Sequence, residues 1–149
     1  MKSRSGEAEA NEQLLRRAWA AYDRGDEDGF AACLTDDWRE YGPTGDMSTM
    51  ADERRTMPLH RTAFPDKHTE IHRIVADDEV VACHCTVTAT HKGKYLDAEP
   101  TGKVVTLREM MFNRVRNGRL SETWAMVDGP GFYQQITGRP VPEDLDNMG

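Results

Sequence analysis

The chain has 149 residues, with 19 Lys and Arg against 26 Asp and Glu, a formal net charge of −7. That length suits one domain, residues 1–149 with an ordered core over about 8–139, and a core large enough to fold without a disulfide or metal. The acidic balance argues against nucleic acid, whose phosphates need a basic footprint, and against an anionic membrane surface. No stretch approaches the roughly 20 apolar residues of a membrane span. The opening MKSRSGEAEANEQ lacks the apolar centre of a signal peptide. Cys33, Cys83 and Cys85 are odd in number and lack zinc-site spacing. A cytoplasmic protein with reduced thiols is expected.

Helical spacing of Leu15, Trp19 and Tyr22 predicts a first helix over about Glu7–Asp23, ended by Gly25. Asp26 can cap a short second helix with Phe30, Ala31 and Leu34 as its apolar positions. Trp38–Tyr41 reads as a short strand stopped by Gly42-Pro43. A third helix is predicted from a cap at Ser48 to about Ala63, kinked or broken at Pro58. Alternation predicts strands over His68–Val75 and Val80–His91, the latter with Val81, Cys83, Cys85, Val87 and Ala89 on one face. Two more strands, about Lys103–Val115 and Leu120–Asp128, flank Asn117-Gly118, a strong hairpin signal. A helical turn is expected over Phe132–Ile136, and a polar tail over Pro140–Gly149. The fold class is therefore α+β: three N-terminal helices packed on a curved, mostly antiparallel sheet. Helices on the concave face would enclose an apolar pocket, the default ligand site.

Several segments, in this order, resemble the SnoaL-like polyketide cyclase family. They are Ala18-Trp19-Ala20-Ala21-Tyr22-Asp23-Arg24-Gly25-Asp26; Ala63-Phe64-Pro65-Asp66; Thr90-His91-Lys92-Gly93 with Pro100-Thr101-Gly102; and Asn113 to Leu120 followed by Glu122, Trp124 and Asp128. Gln135-Ile136-Thr137-Gly138 adds a family-like ending, so the likeness spans about residues 14–138. The resemblance implies a conical α+β barrel and a homodimer. It implies ring closure by intramolecular aldol condensation on a polyketide-like carbonyl compound, without metal or cofactor. It also implies an aspartate acid/base at the end of the last long strand, a position that Asp128 matches. Where some members carry a histidine on the preceding strand, this chain has Arg114.

On its strand Asp128 follows Trp124 and Met126, apolar neighbours that would strip its hydration and raise its pKa, as a base acting next to a carbonyl requires. The alternative is that Asp128 only caps the turn or helix after it. A two-residue Asn117-Gly118 loop would put Leu107, Glu109, Met111 and Asn113 on the face of Asp128. A bulged loop would put Thr106, Arg108, Met110, Phe112 and Arg114 there instead. The bulged register is preferred, because Arg114 could then stabilise an enolate. Arg108 and Arg114 read equally as solvent or dimer-interface residues. His84, mid-strand, is a candidate catalytic group or a sheet histidine. His60 is expected on the surface, and His68 with His72 lacks a third metal ligand.

Trp19, Trp38, Tyr41, Met57, Met110, Phe112, Trp124 and Met126, with Arg108, are the candidate substrate-binding residues. The eight methionines suit an adaptable wall against a hydrophobic or polycyclic ligand. Phosphate loops, a nucleophile elbow and a Walker lysine are absent from the sequence. Competing readings are an epoxide-opening or dehydrating enzyme, with Glu109, Asp36 or Asp37 as second acid, and a non-catalytic ligand-binding dimer.

Overall fold

The computed structural model describes residues 5–140. Helix α1 (Gly6–Asp23) starts at Ser5, whose side chain accepts from the Ala8 N–H at 3.0 Å, and Glu7 and Glu9 suit the positive end of its dipole. Leu14, Leu15, Ala18 and Ala21 form its buried stripe. Helix α2 (Glu27–Ala32) is capped by Asp26, which accepts from the Gly29 N–H at 2.8 Å. Strand β1 (Leu34–Tyr41) then starts earlier than expected. Leu34 is not helical, because its partner Leu120 draws it into the sheet.

A two-residue strand β2 (Met47–Ser48) precedes helix α3 (Met50–Ala63). The helix is capped by Thr49 rather than Ser48. Thr49 Oγ1 accepts from the Asp52 N–H at 3.3 Å, and the Asp52 carboxylate accepts from the Thr49 N–H at 2.8 Å, a reciprocal capping box. The break expected at Pro58 does not occur: α3 runs through it. Proline forfeits one backbone bond there, while Met57 and Ala63 are buried on either side and hold the segment against the core.

Strands β3 (His68–Ala76), β4 (Val80–Thr90), β5 (Val104–Arg116) and β6 (Arg119–Val127) follow, then helix α4 (Gly129–Thr137). The expected turn over Phe132–Ile136 is the middle of α4. The sheet order is β2-β1-β6-β5-β4-β3, with β1 parallel to β6 and every other pair antiparallel. The sheet curves around the helices without closing, so β2 and β3 remain its edges. In β3 the exposed residues include His68, Glu70, His72 and Arg73, and the register shifts at His72. Of the expected polar tail, the residues after Pro140 lie outside the described residues.

Two details fix which side chains face inward. Asn117 and Gly118 have φ of 52° and 73°, the pair of positive values a two-residue hairpin turn needs, and Arg116 pairs with Arg119. Then Ser121 is an extra residue: Val115 faces Leu120 but Arg114 faces Glu122. Ser121 Oγ donates to the Arg114 carbonyl at 3.3 Å. The slip groups Asp128 with Arg108, Met110, Phe112 and Arg114, and that group lies on the face turned away from the helices, because Met111 and Asn113 between them are the buried residues of β5. The inward face carries Glu109, Met111, Asn113, Thr123 and Ala125.

The core gathers Leu14, Leu15, Phe30, Trp38, Met57, Val81, Cys83, Cys85 and Leu120. A buried polar chain crosses it. Trp38 Nε1–H donates to Thr123 Oγ1 at 3.1 Å, Thr123 donates to Asn113 Oδ1 at 2.8 Å, and Asn113 Nδ2 donates to the Val81 carbonyl at 3.1 Å. Each member is satisfied, as burial demands.

Candidate active site

A cavity of about 160 Å³ lies between the helices and the concave face of the sheet. Helix α1 contributes Trp19 and Tyr22, α2 contributes Phe30, and α4 contributes Phe132. Phe64 and Tyr95 complete an aromatic cluster at one end, their rings 5.1 Å apart and Phe132 5.4 Å from Phe64. The close turn at Gly93 packs this end: a Cβ there would lie 2.5 Å from the Thr62 carbonyl oxygen.

Into this apolar enclosure project Glu40 from β1, Glu53 and His60 from α3, Lys67 from the loop before β3, and Glu109 from β5. Strand period points the two β-strand carboxyls inward: Glu40 follows buried Trp38 by two, and Glu109 precedes buried Met111 by two. Burial, with the nearby charges of Glu53, Glu109 and Asp46, pushes the Glu40 carboxyl from its ordinary 4.5 up to about 8. Burial also raises Glu53, against the hydrogen bond from Tyr22 O–H at 3.1 Å and the charge of Lys67. Burial raises Glu109, opposed by Lys67 and by the Cys85 thiol, which donates at 3.7 Å. Lys67 itself is pulled down by burial and held up by Asp23, Glu109 and Glu53. Its Nζ lies 3.8 Å from Asp23 Oδ1 and 3.8 Å from the Tyr22 ring centroid, a cation–π contact. Asp23 is anchored in turn by the Thr69 N–H at 2.6 Å and the Thr69 hydroxyl at 2.8 Å. Burial lowers His60, and Lys67 adds to the effect, so its imidazole favours the neutral form.

Of the residues expected at the site, Trp19 lines the cavity. Trp38 and Met57 are core residues, 2% and 4% exposed. The rest lie on the convex face. Met110, Phe112, Trp124 and Met126 are exposed there, and Tyr41 stacks on Trp124 at 5.8 Å. Arg114 pairs with Glu122 at 2.8 Å, and His84 lies 5.0 Å from His72. Asp128 is not in the cavity: it accepts from the Gly131 N–H at 3.0 Å as the cap of α4, and Arg108 Nη2 lies 3.4 Å away. The register slip at Ser121 sets the outward face of Trp124, Met126 and Asp128 on β6, while Arg108, Met110, Phe112, Arg114 and His84 face outward because they alternate with the buried residues of their own strands. His60, expected on the surface, lines the cavity instead. Glu40, Glu53 and Lys67 were not anticipated. The spacing of Glu40 from Trp38 was a usable signal, whereas Lys67 sits in a loop and carries none.

These placements carry a prediction. Asp128→Asn retains an N-capping side chain, so turnover should stay within a few-fold of the parent, with at most a small loss of stability. Steady-state rates and a thermal melt check both, and a collapse in rate with the fold intact would restore Asp128 as the acid/base group.

The profile of the SnoaL-like polyketide cyclases matches residues 12–136, and the chain belongs to that family. Among solved structures it is similar to AclR, a candidate hydroxylase from Streptomyces galilaeus, at 28% identity and a TM-score of 0.80 over 91% of this chain and 86% of AclR. A candidate SnoaL-like polyketide cyclase from Jannaschia sp. CCS1 matches with a TM-score of 0.83 at 14% identity, covering 94% of this chain and all (100%) of that one. IdmH, a candidate polyketide cyclase from Streptomyces antibioticus, gives 0.76 at 21% identity over 85% and 97% of the two chains. These last two likenesses show the fold. No curated protein matches the chain. Among the described residues no helix is long and apolar enough to cross a membrane.

Proposed function

We propose that the protein is an acid/base enzyme that closes a ring by intramolecular aldol condensation in a flat, polyketide-like carbonyl compound. The observation that carries this reading is Glu40 in the cavity wall. Its carboxyl, pushed up to about 8, is mostly protonated near neutral pH and able to give a proton to a developing alkoxide. Glu109, beside the Lys67 charge, serves as the base. It removes the proton α to a carbonyl, and the enolate oxygen faces Lys67. The enolate carbon attacks a second carbonyl of the same molecule, forming the C–C bond, and the new alkoxide takes the Glu40 proton. Returning the proton from Glu109 to Glu40 resets the site. Two carboxyls with unequal proton affinity are what such an exchange requires.

The likeness to AclR favours a second reading, hydroxylation, in which the same base ionises a phenol toward an oxidant. Mass spectrometry of products separates the two: cyclisation conserves mass, and hydroxylation adds an oxygen. A direct test of the base is solvent-deuterium exchange at the α-carbon of an aryl methyl ketone. The parent should catalyse it and Glu109→Gln should not; equal exchange by both would sink the assignment.

The convex face supports a homodimer in this reading. Met110, Phe112 and Met126 are each more than half exposed, and Trp124 adjoins them, a contiguous apolar patch that water disfavours. Opposite charges at Arg108, Arg114, Glu122 and Asp128 surround it. Light scattering at micromolar concentration should give twice the chain mass, and Phe112→Asp should give the single-chain mass with an unchanged far-ultraviolet spectrum. A monomeric parent would refute the dimer.

A further inference from the structure

We propose that the cavity selects a flat apolar ligand bearing a positive charge, an organic ammonium, over its neutral or anionic counterparts. The inference rests on the reading that this cavity is the substrate site, and it assigns the cation as a ligand that competes with the substrate there, since ionising Glu40 removes the acid that turnover uses. Carboxyls reach the cavity from three elements, as Glu40, Glu53 and Glu109, with Asp23 behind them. Against these stands one cation, Lys67, already engaged by Asp23 and by the Tyr22 ring. His60 favours its neutral form and supplies no lasting counter-charge. Tyr22 O–H satisfies one Glu53 oxygen, and the Cys85 thiol, a weak donor, meets Glu109. Glu40 accepts no side-chain hydrogen bond and forms no ion pair among the described residues, yet its carboxyl borders the open volume.

The remaining wall is aromatic: Trp19, Phe30, Phe64, Tyr95 and Phe132 with Tyr22. Carboxylates alternating with aromatic faces are the surroundings that stabilise an organic cation, through charge and through the ring quadrupoles together. A metal ion is not the better occupant. Among the described residues no three His, Cys, Asp or Glu side chains converge closely enough to hold one. An ammonium on a flat body reaches Glu40 with an N–H while its rings lie against the aromatic wall.

Binding has a chemical signature beyond affinity. Glu40 holds a proton near neutral pH because burial, with the neighbouring carboxyls, disfavours its charge. A bound cation reverses that preference, and the proton leaves to buffer. Titration calorimetry of the intact protein near neutral pH, in two buffers of different ionisation enthalpy, reads both effects. The probes are naphthylmethylammonium, naphthylmethanol and naphthoate. The ammonium should bind about tenfold or more tightly than the alcohol and release close to one proton, and naphthoate should bind weakest. Glu40→Gln should abolish the proton release and narrow the preference to a few-fold; Glu109→Gln should narrow it while keeping the release. Equal or tighter binding of the alcohol or naphthoate overturns the charge selectivity and leaves the cavity as a ligand site; ammonium binding with no proton released overturns Glu40 as the group that meets the cation. Binding of none of the three overturns both.

Discussion

Glu40→Gln should lower turnover by about 10²–10⁴-fold, the usual contribution of a positioned acid/base group, while the folded structure gains stability in alkaline buffer. The two effects share one cause. In the parent, the rate should fall as pH rises through about 8, because the acid form of Glu40 is lost there. On the acid side it should rise with pH as Glu109 ionises, giving a bell-shaped profile. The linkage to folding has a definite sign. A carboxyl with a folded-state pKa of about 8 against 4.5 when solvated binds its proton more tightly in the native state. The stability this contributes is complete below the unfolded value and is lost as pH rises through the folded one. The parent should therefore weaken relative to Glu40→Gln across that window, by a few kcal/mol at most, on the order set by a multi-unit shift. Denaturant midpoints of both proteins on either side of the window measure this. A glutamine variant that tracks the parent at every pH, or that keeps normal turnover, would remove Glu40 from the mechanism.

Trp38→Ala should be the most damaging single change to the fold, costing about 3–5 kcal/mol as expected for a buried aromatic truncated to alanine. Trp38 is 2% exposed and meets Phe30 edge-on at 6.1 Å. Its loss opens a void among α2, β1 and β6 and deprives Thr123 of its indole donor. Trp38→Phe isolates the second contribution, since the ring largely remains and only the N–H goes. That variant should lose about 0.5–1.5 kcal/mol, the net value of one hydrogen bond. Urea unfolding with an unchanged slope would attribute both losses to the native state. If Trp38→Ala unfolds at the parent's midpoint, the core described here is wrong.

The elements were legible in the sequence wherever one periodicity ran unopposed. The α1 stripe from Leu14 to Ala21, the alternation of β4 and the Asn117-Gly118 turn all gave the element that forms. What escaped was set by partners distant in sequence. Leu34 reads as the end of a helix until Leu120 is known to lie beside it. Pro58 reads as a helix break until Met57 and Ala63 are seen to be buried around it. The candidate site was harder. Reading the face of Asp128 required the register of β5 and β6, and one bulged residue reverses every later position. The one-residue shift groups Arg108, Met110, Phe112, Arg114 and Trp124 as expected, but the set lies on the far side of the sheet, because the residues alternating with it on β5, Met111 and Asn113, are the ones packed under the helices. Glu40, Glu53 and Lys67 belong to three different segments, and only packing brings them to one cavity.

The two borders of the sheet bear on how this protein can misassociate. An unpaired strand border is a template for endless growth, because each added chain exposes a fresh border. Here β3 lines one border with His68, Glu70, His72 and Arg73 and is disturbed at His72, while the other ends in the two residues of β2. Neither offers a long, flat, uncharged backbone to a newcomer. The apolar surface available for contact lies across the broad face instead, where a partner that settles covers what made the surface sticky. In the proposed dimer such contact is self-limiting, and the protein should stay free of fibrils at concentrations where its exposed methionines and aromatics would otherwise be a hazard.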